Sequence, residues 1–212
     1  FELSGERVLA FHQRMRGKLF IPSGEPSRNK HVHVKVFFVG STQLWLRDPR
    51  KFGIVWYGDA KEVLAEKYFK NLGPDALGIS RKEFIARLGV GRSMIKAMLL
   101  RQSFVAGAGN IVADETLWQA KIHPKRRVDT LSMSEGMKLH AALQSVLRRS
   151  IKAQGTSLRD WGHPDGASGG FQNELNIYGR ADEPCRRCGQ KIARIVVASR
   201  GTWICEICQL TE

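Results

Sequence analysis

The chain has 212 residues, 42% of them hydrophobic, and carries 34 Lys and Arg against 20 Asp and Glu, a formal charge of +14. That length supports one large domain or two modest ones around a real core, and the charge points to a polyanionic partner, nucleic acid before an anionic membrane surface. With no apolar run of about 18 residues, no lipidation motif and acidic residues within Phe1–Arg7, the sequence argues against a spanning segment or a secretory leader, and the expectation is an intracellular, monomeric protein with reduced cysteines.

Segments 7–15 (RVLAFHQRM), 31–39 (HVHVKVFFV), 42–48 (TQLWLRD) and 52–58 (FGIVWYG) are rich in β-branched and aromatic residues and partly alternate. They predict strands, and their short spacing predicts antiparallel pairing in a sandwich or barrel-like layer. The intervening segment 21–30 (IPSGEPSRNK) holds two prolines and predicts an exposed loop. Past Leu72 the period changes from two to 3.6. Ser80 and Glu83 fit a capping box before FIARL, and SMIKAMLLRQ predicts a second short helix. A glycine-rich turn, FVAGAGN, leads to a third helix, IVADETLWQAKI, which the proline of His123-Pro124 is expected to stop. Ser132 and Glu135 repeat the capping box, and the helix after them, to about Gln154, places Leu139, Leu143, Val146, Leu147 and Ile151 on one face. The chain therefore predicts an α+β protein: an antiparallel β-rich region over 1–72, a helical region over 73–178 and a cysteine-bearing hairpin over 179–212.

In the turn Gly107-Ala108-Gly109-Asn110, the two glycines allow a sharp bend and a close approach to a partner, and Asn110 is a good N-cap. The first amides of the following helix have no intrahelical partners and make a ready anion site. Lys96, on the preceding helix, could reach the same anion and complete a clamp that reads phosphate rather than base. The alternative is a plain helix–turn–helix corner capped by Asn.

The only cysteines in the chain are Cys185, Cys188, Cys205 and Cys208, in two C-x-x-C pairs. Each pair presents two thiolates from one tight knuckle, and two knuckles make a tetrahedral Zn2+ shell. Disulfides or free structural thiols are the alternative. The segment between the knuckles, GQKIARIVVASRGTWI, reads as a β-hairpin turning at Arg200-Gly201. A closed four-thiolate shell leaves no position for water, so the zinc is expected to be structural.

GAGNIVADETLWQAKIHP resembles the helix–two-turn–helix motif of the formamidopyrimidine-DNA glycosylase and endonuclease VIII family. HQRMRGKL, LRDPRKFG, ELNIYGRADEPCRRCG and SRGTWICEIC resemble further family segments, in the family's order. The resemblance implies an antiparallel β-sandwich, a helix–two-turn–helix bundle and a zinc finger. It also implies a bacterial, nucleoid-associated base-excision enzyme acting on damaged double-stranded DNA. Members flip out an oxidised base, cut its glycosidic bond and break the backbone by β,δ-elimination, and flipping leaves a hole that must be filled. The residues implied to fill it are Met15, Arg50 and Phe52, whose alternative role would be ordinary core for Met15 and Phe52. The implied phosphate contacts are His12, Lys96, Asn110 and Arg200, the last alternatively a solvated surface arginine. GHPDGASGGFQNE matches the loop that covers the flipped base, with Gly170 before Phe171 where the family often has an aromatic, and its glycines suit a mobile lid.

The family's nucleophile is an N-terminal proline amine followed by a glutamate. This chain opens Phe1-Glu2-Leu3, which matches an internal strand. No catalytic residue is therefore expected in it, and a fragment of an enzyme for oxidised purines, inactive as a lyase by itself, is the expectation. The alternatives are an endonuclease VIII-type enzyme for oxidised pyrimidines, a non-catalytic binder of damaged DNA, and a zinc-ribbon adaptor for RNA. The run DPRKFG and the long covering loop lean toward the purine-specific branch.

Overall fold

A computed structural model describes residues 1–22, 30–89, 91–158 and 162–211. Most of the expected loop 21–30 lies outside the described residues. Two compact units emerge: 1–70 with 153–172, and 71–152 with 173–212. Segment 153–172, which the sequence groups with the helices, thus belongs with the strands.

The first unit contains β1 (Glu2–Leu3), β2 (Arg7–His12), β3 (Lys18–Phe20), β4 (Val32–Phe37), β5 (Gln43–Arg47) and β6 (Ile54–Asp59), followed by helices α1 (Ala60–Ala65) and α2 (Lys67–Lys70). The strands form two antiparallel three-stranded sheets, ordered β1-β2-β6 and β3-β5-β4. Strand β1 falls where Phe1-Glu2-Leu3 matches an internal strand, whereas β3 is short and lacks a legible alternation, so the sequence reading missed it. Leu44, Trp45 and Leu46 of the central strand β5 are all buried, as expected of a strand covered on both faces, and Leu9 joins them from β2. Trp56 on β6 stacks on Tyr68 of α2 with ring centroids 5.3 Å apart, which fastens the helical end of the unit to its sheet.

The register explains where the connections fall. His12 at the end of β2 pairs with Ile54 at the start of β6, and Lys18 at the start of β3 pairs with Arg47 at the end of β5. The β2–β3 and β5–β6 connections therefore cross between the two sheets side by side.

The second unit contains α3 (Arg81–Leu88), α4 (Ile95–Leu100), α5 (Asn110–Ala120), α6 (Met133–Lys152) and the hairpin β7 (Ala193–Val197) and β8 (Arg200–Ile204). Its core joins Phe84, Ile95, Leu99, Leu117, Leu139 and Leu143 from all four helices. Both predicted capping serines cap. Ser80 Oγ accepts from Glu83 N at 3.2 Å. Ser132 Oγ accepts from Glu135 N at 3.2 Å while Glu135 accepts in return from Ser132 N at 2.8 Å, the reciprocal box. Leu139, Leu143 and Val146 are buried on α6, but Ile151 is 60% exposed because the last turn outruns the core. Helix α5 ends before Pro124: Lys121 is left-handed, with φ 61°, and its amide closes onto Leu117 and Trp118 carbonyls. The stop is a left-handed C-cap rather than the proline.

Candidate nucleic-acid interface

The four cysteines converge, with all four Sγ atoms within 4.8 Å of one another. A tetrahedron with metal–sulfur bonds of about 2.3 Å has edges of roughly 3.8 Å, so the donor set fits one Zn2+ with little adjustment. The shell is closed by protein sulfur and leaves no place for a reacting water, which makes the ion structural. Arg187 N donates to Cys185 Sγ at 3.4 Å. The Arg187 guanidinium donates to Trp118 O at 3.2 Å and lies 4.1 Å above the Trp118 ring. The first knuckle is thereby fastened to the C-terminal end of α5. Ile177, Cys185, Ile192 and Cys205 form the small core of this region, with Trp118 and Trp203 against it, and so little apolar burial calls for a metal.

The hairpin turns two residues earlier than expected. Val197 pairs with Arg200, leaving Ala198 and Ser199 as the loop with φ of 51° and 58°. Two successive positive φ values are the type I′ signature, so Gly201 supplies no turn and lies within β8. Its missing side chain serves another purpose: a Cβ there would lie 3.2 Å from the Arg194 guanidinium. Arg200 opens β8 and is exposed.

Gly201 O accepts from Asn110 Nδ2 at 3.0 Å and from Lys96 Nζ at 3.1 Å. One carbonyl thus joins the start of α5 to the residue next to Arg200. Asn110 is the first residue of α5, and its N-cap is Gly109, with no side-chain cap bond. The expected capping role of Asn110 is corrected accordingly: its amide reaches across to the hairpin instead of back to its own helix. Of the two turn glycines, Gly107 has φ +96° and Gly109 is extended, so only Gly107 needs glycine's freedom. Gly107 N donates to Gln102 Oε1 at 3.0 Å, which holds the turn from behind.

Lys96 is fully buried. Its Nζ sits 2.6 Å from Asp114 Oδ1 and also donates to Thr202 Oγ1 at 2.7 Å. The expectation that Lys96 touches phosphate is therefore corrected, because the buried ammonium spends two hydrogen bonds and an ion pair inside the protein. Burial pushes the Asp114 carboxyl up to about 6 even though the Lys96 charge pulls it down. The neighbouring Glu115, also fully buried, accepts from the amides of Asn176, Ile177 and Tyr178 at 2.9–3.0 Å. It fixes the segment entering the zinc region. Sequence reasoning missed Asp114, Glu115 and Thr202, because long-range polar contacts leave no local periodicity.

In the first unit, the β2–β3 connection carries Met15 at 73% exposure, and the β5–β6 connection carries Phe52 at 56% beside an exposed Arg50. The core role for Met15 and Phe52 is thus excluded within this unit. The Arg50 guanidinium lies 4.6 Å from the Phe52 ring centroid. Asp48, buried beneath this loop, accepts from Gly53 N at 2.7 Å and Arg50 N at 3.1 Å. Burial opposes its charge, but the amides of Gly53, Arg50, Phe52 and Lys51 outweigh it and hold the carboxyl below the usual range. On the other connection Gly17 N donates to Gln13 O at 2.9 Å, and a Cβ on Gly17 would fall 2.3 Å from that oxygen. Met15 and Pro49 line one open pocket of about 440 Å³, so the two connections are neighbours.

His12 is half-buried, with its ring 5.0 Å from that of Tyr68. Its Nδ1 accepts from Arg14 N at 3.1 Å, which leaves the proton of the neutral ring on Nε2. Burial, then the Arg14 charge, lowers its pKa, so near neutral pH it offers a hydrogen bond and no charge. The loop 162–170 is tied at both ends: Ile21 N donates to Pro164 O at 2.7 Å, Gly170 N to Ala153 O at 2.7 Å, and Gly169 N to Ser157 Oγ at 2.8 Å.

Family models match along most of the chain: the formamidopyrimidine-DNA glycosylase N-terminal domain over residues 1–55, its H2TH domain over 72–161, and the zinc finger found in FPG and IleRS over 182–210. A formamidopyrimidine-DNA glycosylase of Herpetosiphon aurantiacus is 43% identical over 210 residues, covering 98% of this chain and 76% of that protein. This chain belongs to the formamidopyrimidine-DNA glycosylase family. The Chloroflexus aurantiacus member is 40% identical over 99% of this chain and 75% of its own length. Solved glycosylase structures superpose closely. The Lactococcus lactis FPG mutant G226P bound to DNA containing Fapy-dG has a TM-score of 0.89 at 38% identity, covering 99% of this chain and 77% of that one. MutM of Thermus thermophilus has a TM-score of 0.89 at 35% identity, covering 99% and 78%. The fold is that of the glycosylases, α+β with antiparallel sheets, a helical bundle and a zinc-finger hairpin. No helix among the described residues is long and apolar enough to cross a membrane.

Proposed function

We propose that this chain grips and interrogates damaged double-stranded DNA for a base-excision glycosylase and AP lyase acting on oxidised purines. Arg200 and Asn110 hold the sugar–phosphate backbone from the second unit, and His12 adds a neutral donor from the first. Met15, Arg50 and Phe52 enter the stack where the lesion is turned out, Phe52 as wedge, Met15 as adaptable filler and Arg50 as partner to the estranged base. The loop 162–170 covers the extruded base. The protein is read as a monomer working on bacterial nucleoid DNA, with every binding role named here met within one chain. The relatives support the substrate class: one is bound to DNA containing Fapy-dG and another, MutM, to DNA containing carbocyclic 8-oxo-G.

The observation that carries the reading is the pair of adjacent connections that display Met15, Arg50 and Phe52 to solvent above a braced carboxylate. Glu2 lies exposed in β1 opposite Val8 and is given no chemical role. Fluorescence anisotropy with a duplex carrying a tetrahydrofuran abasic analogue tests the reading. The chain should prefer the lesion duplex over an undamaged one, and Phe52→Ala should shrink that preference while leaving affinity for undamaged DNA within about twofold. Equal affinity for both duplexes in the unsubstituted chain would refute it.

A further inference from the structure

We propose that Lys96 is a positioning residue for the phosphate grip, acting on Arg200 through Thr202 and on Asn110 through Gly201. The inference rests on the reading above, in which Arg200 and Asn110 meet the duplex. The buried ammonium donates to Thr202 Oγ1 at 2.7 Å and Gly201 O at 3.1 Å and is ion-paired with Asp114 Oδ1 at 2.6 Å. Thr202 Oγ1 passes the constraint on by donating to Arg200 O at 3.0 Å. Two consecutive hydrogen bonds thus tie the ammonium to the main chain that bears the guanidinium. Gly201 O takes Asn110 Nδ2 at 3.0 Å as well, so the same ammonium sets the spacing between the two phosphate readers. Asp114 closes the arrangement, because its Oδ2 accepts from Trp203 N at 3.2 Å, one residue beyond Thr202.

Stability alone gives little reason for such a group. A buried ion pair is commonly matched or bettered by packed apolar side chains of the same volume. What an apolar pair cannot supply is three directed bonds onto one strand edge. Position, rather than bulk stability, is the property that Lys96 contributes.

The test compares five proteins: the unsubstituted chain, Lys96→Met/Asp114→Leu, that double variant with Arg200→Ala added, Thr202→Val and Arg200→Ala. Binding to the abasic-analogue duplex is measured over a KCl series, with zinc content and thermal melting recorded for each. The double variant removes both buried charges together, which avoids stranding one of them. Expected are full zinc content, an affinity about tenfold weaker, and a slope of log K against log salt smaller by roughly 0.9, one phosphate contact. Adding Arg200→Ala to the double variant should then cost nothing more. Thr202→Val, which keeps the ion pair, should shift the slope in the same direction. The proposal is overturned if the double variant melts lower yet keeps affinity and slope, or if Arg200→Ala adds its full effect on top. Should the double variant lose zinc, Thr202→Val decides, and an unchanged slope there overturns the proposal. If the unsubstituted chain does not prefer the lesion duplex, the reading of function fails first and this inference with it.

Discussion

Asn110 bonds the carbonyl of Gly201, the residue after Arg200, yet Arg200 and Asn110 offer a duplex different things. Arg200 brings a permanent charge and a fork of donors, whereas Asn110 brings a neutral amide with one proton already given to Gly201 O. Salt dependence counts the charges that displace counterions. Arg200→Ala should therefore flatten the log K–log salt slope by roughly 0.9, while Asn110→Ala should weaken binding at every salt concentration with the slope unchanged. Titrations at several KCl concentrations separate the two, and equal slopes for Arg200→Ala and the unsubstituted chain would remove Arg200 from the grip. Asp48 acts at the same scale but on stability. Its carboxylate holds the turn beneath Arg50 and Phe52, and Asp48→Asn should cost about 2 kcal/mol in urea unfolding, since a charged acceptor is lost to two amides. Because its folded pKa is depressed, the carboxylate's contribution is present above the unfolded value of about 3.9 and is lost as pH falls through the folded value. In Asp48→Asn that part of the acid sensitivity should disappear. His12 has the same pH sign: lowered in the fold, it favours folding most above about 6.5 and loses this as pH drops through its folded value.

Among the elements, those whose signals are local were legible and those set by distant partners were not. Ser80 and Ser132 announced their helices because a capping box is complete within four residues. The Met15 and Phe52 positions came from family resemblance, and only the strand pairing within each of the two sheets explains why they are exposed together. The hairpin misled, since a glycine beside an arginine suggests a turn. Its register places the turn at Ala198-Ser199 instead, and a Cβ on Gly201 would press on the Arg194 guanidinium. Asn110 was placed one position early for a like reason, its partner lying on the hairpin and far away in sequence. Ala198 and Ser199 consequently occupy positive φ without glycine. Replacing them with Asn-Gly should stabilise the hairpin by about 1 kcal/mol, visible as a higher melting temperature of the zinc-loaded protein. A lower one would contradict the type I′ assignment.

At the scale of the molecule, the net charge of +14 favours attraction to DNA but no particular fold, whereas the metal decides whether the hairpin folds, and with it the grip proposed above. The hairpin core is only a handful of side chains, so stripping the ion with a chelator should unfold the hairpin. Lesion binding should fall by at least tenfold, with the loss of affinity tracking the loss of zinc. Acid should act similarly once thiolates take protons. Binding that survives complete metal removal would contradict a structural role for the ion.

Helix α5 extends this dependence beyond the finger. Its last turn is held by Arg187 from the first knuckle, its first residue is Asn110, and its 11 residues span about 16 Å. A strut fixed at one end by a metal knuckle and at the other by a strand carbonyl loses both fixings when the ion leaves. Deuterium uptake at the amide of Ala113, which bonds Gly109 O, should quicken on chelation while uptake along α6 stays slow, so that an isotope-exchange map would trace the ion's influence outward from sulfur to the edge of the phosphate turn.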